Sequence, residues 1–400
     1  MIVLFLVIAV VFLAAFAALH WYAWRRLIRD TTTRRSVPRR IGTAVFVAGP
    51  VLGLAAVRDD MPGIPFAWEG AVDWPGFMWL ALFLYLLFAL AVGELVRPLL
   101  SRWLARRDTP ADAPAAPEPR TESPVIVSRR VFVSRVVGGA AAVAAAGTVG
   151  YGTYGVMRGP QIKRLTIPLA KLPRSAHGFR IAVVSDIHLG PLLGRRFSQR
   201  VVDTINSTQP DLIAVVGDLV DGSVADLSDA VEPLRGLRAR NGSFFVTGNH
   251  EYFNDPAEWI TKVRELGLVP LENTRTEMPG FDLAGVNDVL GEQSGQGPDF
   301  GRALGDRDRS RAAVLLAHQP VVIDEAVAHG VDLQLSGHTH GGQLWPGPLL
   351  AGLANPTVAG LERYDDTQLY VSRGAGVWGP PVRVGAPSDI TVVELASLQS

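Results

Sequence analysis

Ile181-Ala182-Val183-Val184-Ser185-Asp186-Ile187-His188 is a short, largely β-branched apolar run that stops on a carboxylate and an imidazole. Four apolar residues in a row, bounded by polar ones, fit a strand buried on both faces. The pattern recurs downstream. Residues 212–216 end at Gly217-Asp218, 244–246 run into Thr247-Gly248-Asn249-His250, 314–317 end at His318, and 331–335 end at Ser336-Gly337-His338. Helical periodicity fills intervals between them, at 197–206, 227–237, 256–266 and 321–329. Strand alternating with helix predicts an α/β layered fold. Functional groups in such folds collect beyond the carboxyl ends of strands, where loops converge on one rim. Five strands that each deliver Asp, Asn or His at the same relative position therefore predict one shared site.

The residue types narrow the chemistry. Cysteine is absent, which excludes disulfide staples and thiolate ligands and leaves the redox compartment open. Of eight histidines, five (His188, His250, His318, His338 and His340) lie in these clusters, whereas His20, His177 and His329 do not. A single histidine at a strand end is usually a satisfied core or surface group. Five of them in company with Asp186, Asp218 and Asn249 point to divalent cations, which borderline and hard N/O donor sets favour. Lys+Arg and Asp+Glu balance at 38 each, so net charge gives no reason to expect a nucleic-acid partner.

The ordered set Asp186-Ile187-His188, Gly217-Asp218, Gly248-Asn249-His250-Glu251, His318 and Gly337-His338-Thr339-His340 resembles the signature blocks of the calcineurin-like metallophosphoesterases. Ala317-His318-Gln319-Pro320 and His340-Gly341-Gly342-Gln343 resemble its membrane-linked bacterial, YkuE-like phosphodiesterase branch. The resemblance covers about residues 179–395 and implies a four-layer α/β/β/α sandwich. It assigns Asp186, His188 and His340 to one metal, Asn249, His318 and His338 to a second, and Asp218 to both, with Mn, Fe or Zn as the divalent ions. Such a pair clamps a phosphoryl group and activates water. The resemblance makes His250 catalytic, protonating the leaving oxygen. Glu251 could orient His250 or be a solvated loop carboxylate.

Other residues carry weaker expectations. Arg195 and Arg196 could meet a phosphate, although a helix surface is the simpler reading. Tyr252 and Phe253 fit a pocket wall or core packing. The Gly-, Asp- and Arg-rich tract 291–311 reads as a flexible surface insertion that could lie over the site. Residues 374–381, with Trp378, could border the cleft, and 173–178 lead into the first strand.

The N-terminal part has another texture. Apolar residues make up 48% of the chain, its mean hydropathy is +0.21, and the excess sits before residue 158. Residues 2–24 are long enough to cross a hydrocarbon core of about 30 Å. A second, shorter candidate at 41–57 is weakened by Gly42, Gly49, Pro50 and Gly53. A third at 77–96 has Trp74 and Trp79 as interfacial anchors. Positive charge follows the first run, at Arg25, Arg26 and Arg29, which argues against a cleaved signal peptide. Residues 25–40 and the segment after 96 are rich in Arg, whereas 58–73 hold Asp59, Asp60, Glu69 and Asp73. This distribution predicts an outward-facing N-terminus. No ion pair among these spans is expected, since His20 and Glu94 lie near span ends.

The domain reading is a membrane region at 1–108 with about three spans, a disordered Pro/Ala-rich linker at 109–127, a twin-arginine-like signal or fourth span at 128–158, and the phosphoesterase domain at 159–400. Either reading of Arg129-Arg130-Val131-Phe132 sends the domain to the outer face of the plasma or inner membrane, the former through twin-arginine export machinery. The expected activity is a membrane-anchored metal-dependent phosphohydrolase, a phosphodiesterase acting on a lipid-linked or cell-envelope phosphoester. A phosphomonoesterase or phosphoprotein phosphatase would share the site chemistry. A non-catalytic metal-binding scaffold at the bilayer is the alternative from another class.

Overall fold

A computed structural model describes residues 2–58, 65–107 and 129–399; the expected linker at 109–127 and Ser128 lie outside the described residues. The chain forms two compact units, one of residues 1–62 and 71–151, the other of 63–70 and 152–400.

Four long helices dominate the first part of the chain: α1 (Ile2–Trp24), α2 (Val37–Ala56), α3 (Phe66–Arg107) and α4 (Arg129–Met157). All four are long and apolar enough to cross a membrane by length and composition. The fourth lies where the sequence left a signal or a span. Three expectations need correction. Trp79 is not an interfacial anchor: it is buried, its indole donates to His20 Nε2 (3.2 Å), and it packs with Phe83. The glycines of α2 do not weaken it. A Cβ on Gly49 would overlap the Trp79 ring, so Gly49 and Gly53 let α3 approach closely. An ion pair is also present: Arg26 lies 2.8 Å from Glu94, which also accepts from Tyr22 (3.1 Å). Folding brings the turn just after α1 against the interior of α3, which a reading of each span alone cannot show. Since α3 starts at Phe66, Glu69 and Asp73 are helical rather than loop acids.

The second unit contains two six-stranded sheets. One has the order β1 (Gln161–Leu169), β12 (Asp389–Ser397), β2 (Phe179–Val184), β3 (Leu212–Val216), β4 (Ser243–Val246), β5 (Val269–Pro270). The other runs β10 (Gly360–Tyr364), β11 (Thr367–Val371), β9 (Leu333–Ser336), β8 (Ala312–Leu316), β7 (Phe281–Gly285), β6 (Thr274–Met278). Strands β2–β5 are parallel, as are β7, β8, β9 and β11.

Alternation along each strand builds the layers. Ile181, Val183, Ala214 and Val216 meet Leu283, Val314, Leu316 and Leu335 in a core between the sheets. Ala182, Val184, Ile213 and Val215 face the opposite way, against α5 (Arg195–Ser207), α6 (Val224–Val231) and α8 (Pro256–Glu265). Leu315, Leu369 and Val371 pack on α9 (Phe300–Leu304) and α10 (Ile323–Ala328). This is the expected α/β/β/α sandwich. Two short helices, α7 (Asn249–Phe253) and α11 (Gly347–Ala354), sit on the loops after β4 and β9.

Two local expectations fail. The helix expected over 227–237 stops at Val231 and continues as a 3₁₀ turn, because Pro233 has no amide hydrogen to donate. The tract 291–311 is no loose insertion: it contains α9, whose Phe300, Ala303 and Leu304 are buried.

Candidate metal centre

The seven predicted ligands and His250 follow the carboxyl ends of β2, β3, β4, β8 and β9, and the fold brings them together. Asp186, His188 and His340 offer ligand atoms within 4.8 Å of one another, and so do Asp218, His318 and His338. Asn249 Oδ1 lies 2.9 Å from His338 Nδ1, which joins it to the second group. Asp218 Oδ2 is 3.1 Å from His318 Nε2 and 3.7 Å from His188 Nε2, so its carboxylate reaches both groups.

Presenting these side chains costs backbone strain. Asp186, His188, Asp218, His338 and His340 have φ of +51°, +47°, +51°, +71° and +52°. Residues with a Cβ seldom occupy this left-handed region, and where they do so a functional site is common. Cross-loop hydrogen bonds hold them there: Asp186 N–H donates to Gly217 O (3.1 Å), His188 N–H to Asp218 O (3.2 Å), and His338 N–H to the Asp186 carboxylate (3.0 Å). The Ser185 hydroxyl donates to the same carboxylate. Close approach does the rest. Gly217 has φ +75°, and a Cβ there would stand 2.6 Å from His318 Nδ1.

The donor set fits cations. His318 Nδ1 is 2.8 Å from the Val216 carbonyl and so carries the hydrogen, which leaves a lone pair on Nε2. That buried nitrogen has no hydrogen-bond partner. It is close to Asp218, but not in hydrogen-bonding geometry. His188 is similar, with Nδ1 2.7 Å from Asp221 Oδ1 and Nε2 3.0 Å from His340 Nε2. Without cations, protons fill the role. Burial opposes charge on His188, but Asp221 outweighs it and raises the imidazole to about 9. Burial is likewise outweighed at His318, where Asp218 raises the group well above its ordinary value. Burial pushes Asp186 up. It opposes the charge of Asp218 too, yet His318 and His188 hold that carboxyl well below the usual range. Burial and the neighbouring His318 lower His338 to about 4, and burial, His188 and Arg383 keep His340 well below its ordinary value.

His250 sits at the rim. Its backbone N–H donates to Asp218 Oδ1 (2.9 Å), and its ring lies 5.0 Å from Phe253 and 5.8 Å from Trp378, edge to face in both cases. Nδ1 is 2.8 Å from Asp221 Oδ1, which leaves Nε2 for a substrate. Asp221 was missed in the sequence. It accepts from a metal-site imidazole and from His250 with the same oxygen, and its position three residues after Asp218 was the available clue. Glu251 has neither of its expected roles. It is fully buried, and its carboxylate accepts from the backbone N–H groups of Gly248 (2.6 Å), Leu219 (2.8 Å) and Asp218 (3.1 Å), pinning two ligand loops together. Arg195 pairs with Asp229 at the surface and Arg196 is exposed on α5, in keeping with the helix-surface reading. Tyr252 donates to Gln296 O (3.3 Å), whereas Phe253 and Trp378 stand edge to face against the His250 ring. Arg383 was also missed. It is buried, donates to the carbonyls of His340 (3.0 Å) and Gly376 (2.9 Å), and braces the last ligand loop.

A metal-type cradle raised on two facing α/β sheets defines a metallophosphoesterase. The calcineurin-like phosphoesterase family model matches residues 179–342, and the chain belongs to that family. It is a phosphoester hydrolase. A transmembrane protein with metallophosphoesterase domain from Danio rerio is 34% identical over 396 residues, covering 94% of this chain and 85% of that protein. An uncharacterized metallophosphoesterase of Helicobacter pylori is 38% identical over 247 residues, 61% of this chain and 66% of the relative. The uncharacterized metallophosphoesterase YkuE of Bacillus subtilis is 30% identical over 286 residues, 68% of this chain and 98% of the relative. The first match extends into the apolar helices, and with their composition it indicates association with a membrane.

Proposed function

We propose that this chain is a membrane-anchored phosphodiesterase with a two-metal centre. The reach of the Asp218 carboxylate into both ligand groups carries the reading. Asp186, His188 and His340 would hold one ion and Asn249, His318 and His338 the other, with the Asp218 carboxylate within reach of both. Bound there, two divalent ions supply charge neutralisation for the phosphoryl oxygens and activation of the attacking water. Asp221 would accept from His250 Nδ1–H and balance the charge of an imidazolium, whose Nε2–H gives its proton to the departing alcohol oxygen. Phe253 and Trp378 flank that ring and give the alcohol portion an apolar wall, which favours a diester over a bare monoester dianion.

The four helices anchor the chain as a multi-pass protein, Arg-rich segments inside and the phosphoesterase domain outside. Arg129-Arg130 directs export, and the apolar stretch that follows stays as α4. A lipid-linked or envelope diester is then the substrate class.

Full-length protein reconstituted with Mn²⁺ or Zn²⁺ should hydrolyse bis-p-nitrophenyl phosphate faster than p-nitrophenyl phosphate. The reverse preference would make it a monoesterase, and metal uptake without hydrolysis of either would make it a scaffold. A reporter fused after the C-terminus, active only on the cytoplasmic side, would overturn the orientation.

A further inference from the structure

Directly after His340 the chain runs from Gly341 to Leu361 without a charged residue. Its centre is α11, in which no residue is buried: Leu349 and Leu350 are 68% exposed and Leu353 is 85% exposed. Their spacing puts all three leucines on one side of the helix. Soluble surfaces seldom show so concentrated an apolar patch without a binding role.

The surroundings identify the occupant. Gln343 ties this segment to the cleft, donating to Trp378 O (2.9 Å) and accepting from Trp378 N–H (3.1 Å), and the Trp378 ring stands against His250. On its other flank, Trp345 N–H donates to Val384 O (3.0 Å) and Val384 N–H to Gln343 O (2.9 Å). One residue earlier, Arg383 N–H donates to Gly152 O (3.4 Å), in the last turns of α4. A Cβ on Gly152 would lie 2.7 Å from Val382. Val156 and Met157 end α4 within the phosphoesterase core, while Tyr154 is 62% exposed, as interfacial aromatics are. A single extended segment, 382–385, thus separates the lead-in to α11 from the end of a membrane-crossing helix.

We propose that α11 is a bilayer-contacting element. Leu349, Leu350 and Leu353 seat in the boundary of the membrane that α4 leaves, and the adjoining cleft takes phosphodiesters carried by lipids. The substrate half rests on the phosphodiesterase reading above; the contact half does not.

The absence of cysteine makes the test direct. Leu350→Cys and Leu353→Cys in the full chain, labelled with an environment-sensitive fluorophore, are reconstituted in phosphatidylcholine–phosphatidylglycerol vesicles containing a spin-labelled acyl chain. Asp306→Cys, at a side chain 85% exposed before β8, is the control. Quenching at 350 and 353 but not at 306 is expected. Equal response at all three positions overturns the proposal. A blue shift at 350 and 353 without quenching also overturns it, since a protein or second copy would then cover the face. In a second arm, the Leu350→Gln, Leu353→Gln double variant should hydrolyse a diacylglycerol p-nitrophenyl phosphodiester in vesicles about tenfold more slowly, as two lost leucine burials imply at least a decade. Bis-p-nitrophenyl phosphate turnover should stay within about twofold. Equal loss on both substrates overturns lipid delivery. If the parent hydrolyses neither, the phosphodiesterase reading falls and quenching alone decides the contact.

Discussion

Asp221→Asn is the most informative single change, because one oxygen serves two histidines. Asp221 Oδ1 lies 2.7 Å from His188 Nδ1 and 2.8 Å from His250 Nδ1, and the side chain is 28% exposed. The amide keeps an acceptor but loses the charge. Unit charges about 4 Å apart interact by about 4 kcal/mol at the effective dielectric of a protein surface. Partial solvent access reduces that to about 2–3 kcal/mol for the His250 pair. That loss is about a hundredfold in kcat if His250 is the proton donor. The same change weakens the orientation of His188, so metal affinity should drop about 10- to 100-fold. Kinetics on bis-p-nitrophenyl phosphate over a Mn²⁺ titration, with metal content measured in parallel, separates the two effects. A kcat at saturating metal within about threefold of the parent would refute the role given to Asp221, since so small a loss leaves no room for a charge interaction of about 2–3 kcal/mol.

Three further outcomes follow from the geometry. His250→Ala should keep its metals and lose about 10²–10⁴ in kcat, less for a p-nitrophenol leaving group than for an alkyl alcohol, which needs the proton more; metal loss with an unchanged rate would contradict this. Glu251→Ala strands three buried backbone N–H groups and should cost about 3–5 kcal/mol, lowering Tm by about 10 °C in calorimetry of the metal-free protein; an unchanged Tm would contradict the staple. Loading both metals at pH 7 should release about two protons, one each from His188 and His318. The sign follows from their raised values: below about 9 the metal-free His188 holds its proton, and His318 is raised as well, so affinity climbs as pH rises toward that point. Titration calorimetry in buffers of different ionisation enthalpy measures this, and buffer-independent heats would contradict it.

Strands buried on both faces were legible in the sequence. β2, β3 and β8 carry continuous apolar runs because a sheet lies on one side and helices on the other, whereas in β9 the buried Gln334 breaks the run and donates to Ser336 Oγ. Strands β1, β6 and β10 were not legible. Each sits at a sheet edge, where exposed Arg164, Glu277 and Glu362 interrupt the apolar runs that mark the buried strands. The ligand set was legible because each member follows such a buried strand. Asp221 and Glu251 were invisible in their true roles, since their partners are fixed only when loops from different strands meet. Trp79 misled for a related reason: an indole near a span end suits an interface, and only the small face of Gly49 opposite turns it into packing.

The central claim is that Asp218 joins two cations. Electron paramagnetic resonance on full-length protein loaded with Mn²⁺, alongside metal analysis, tests it most directly. Two bound ions per chain with an exchange-coupled spectrum, uncoupled or absent in Asp218→Ala, is the predicted result. One ion per chain, or two with no coupling in the parent protein, would contradict it.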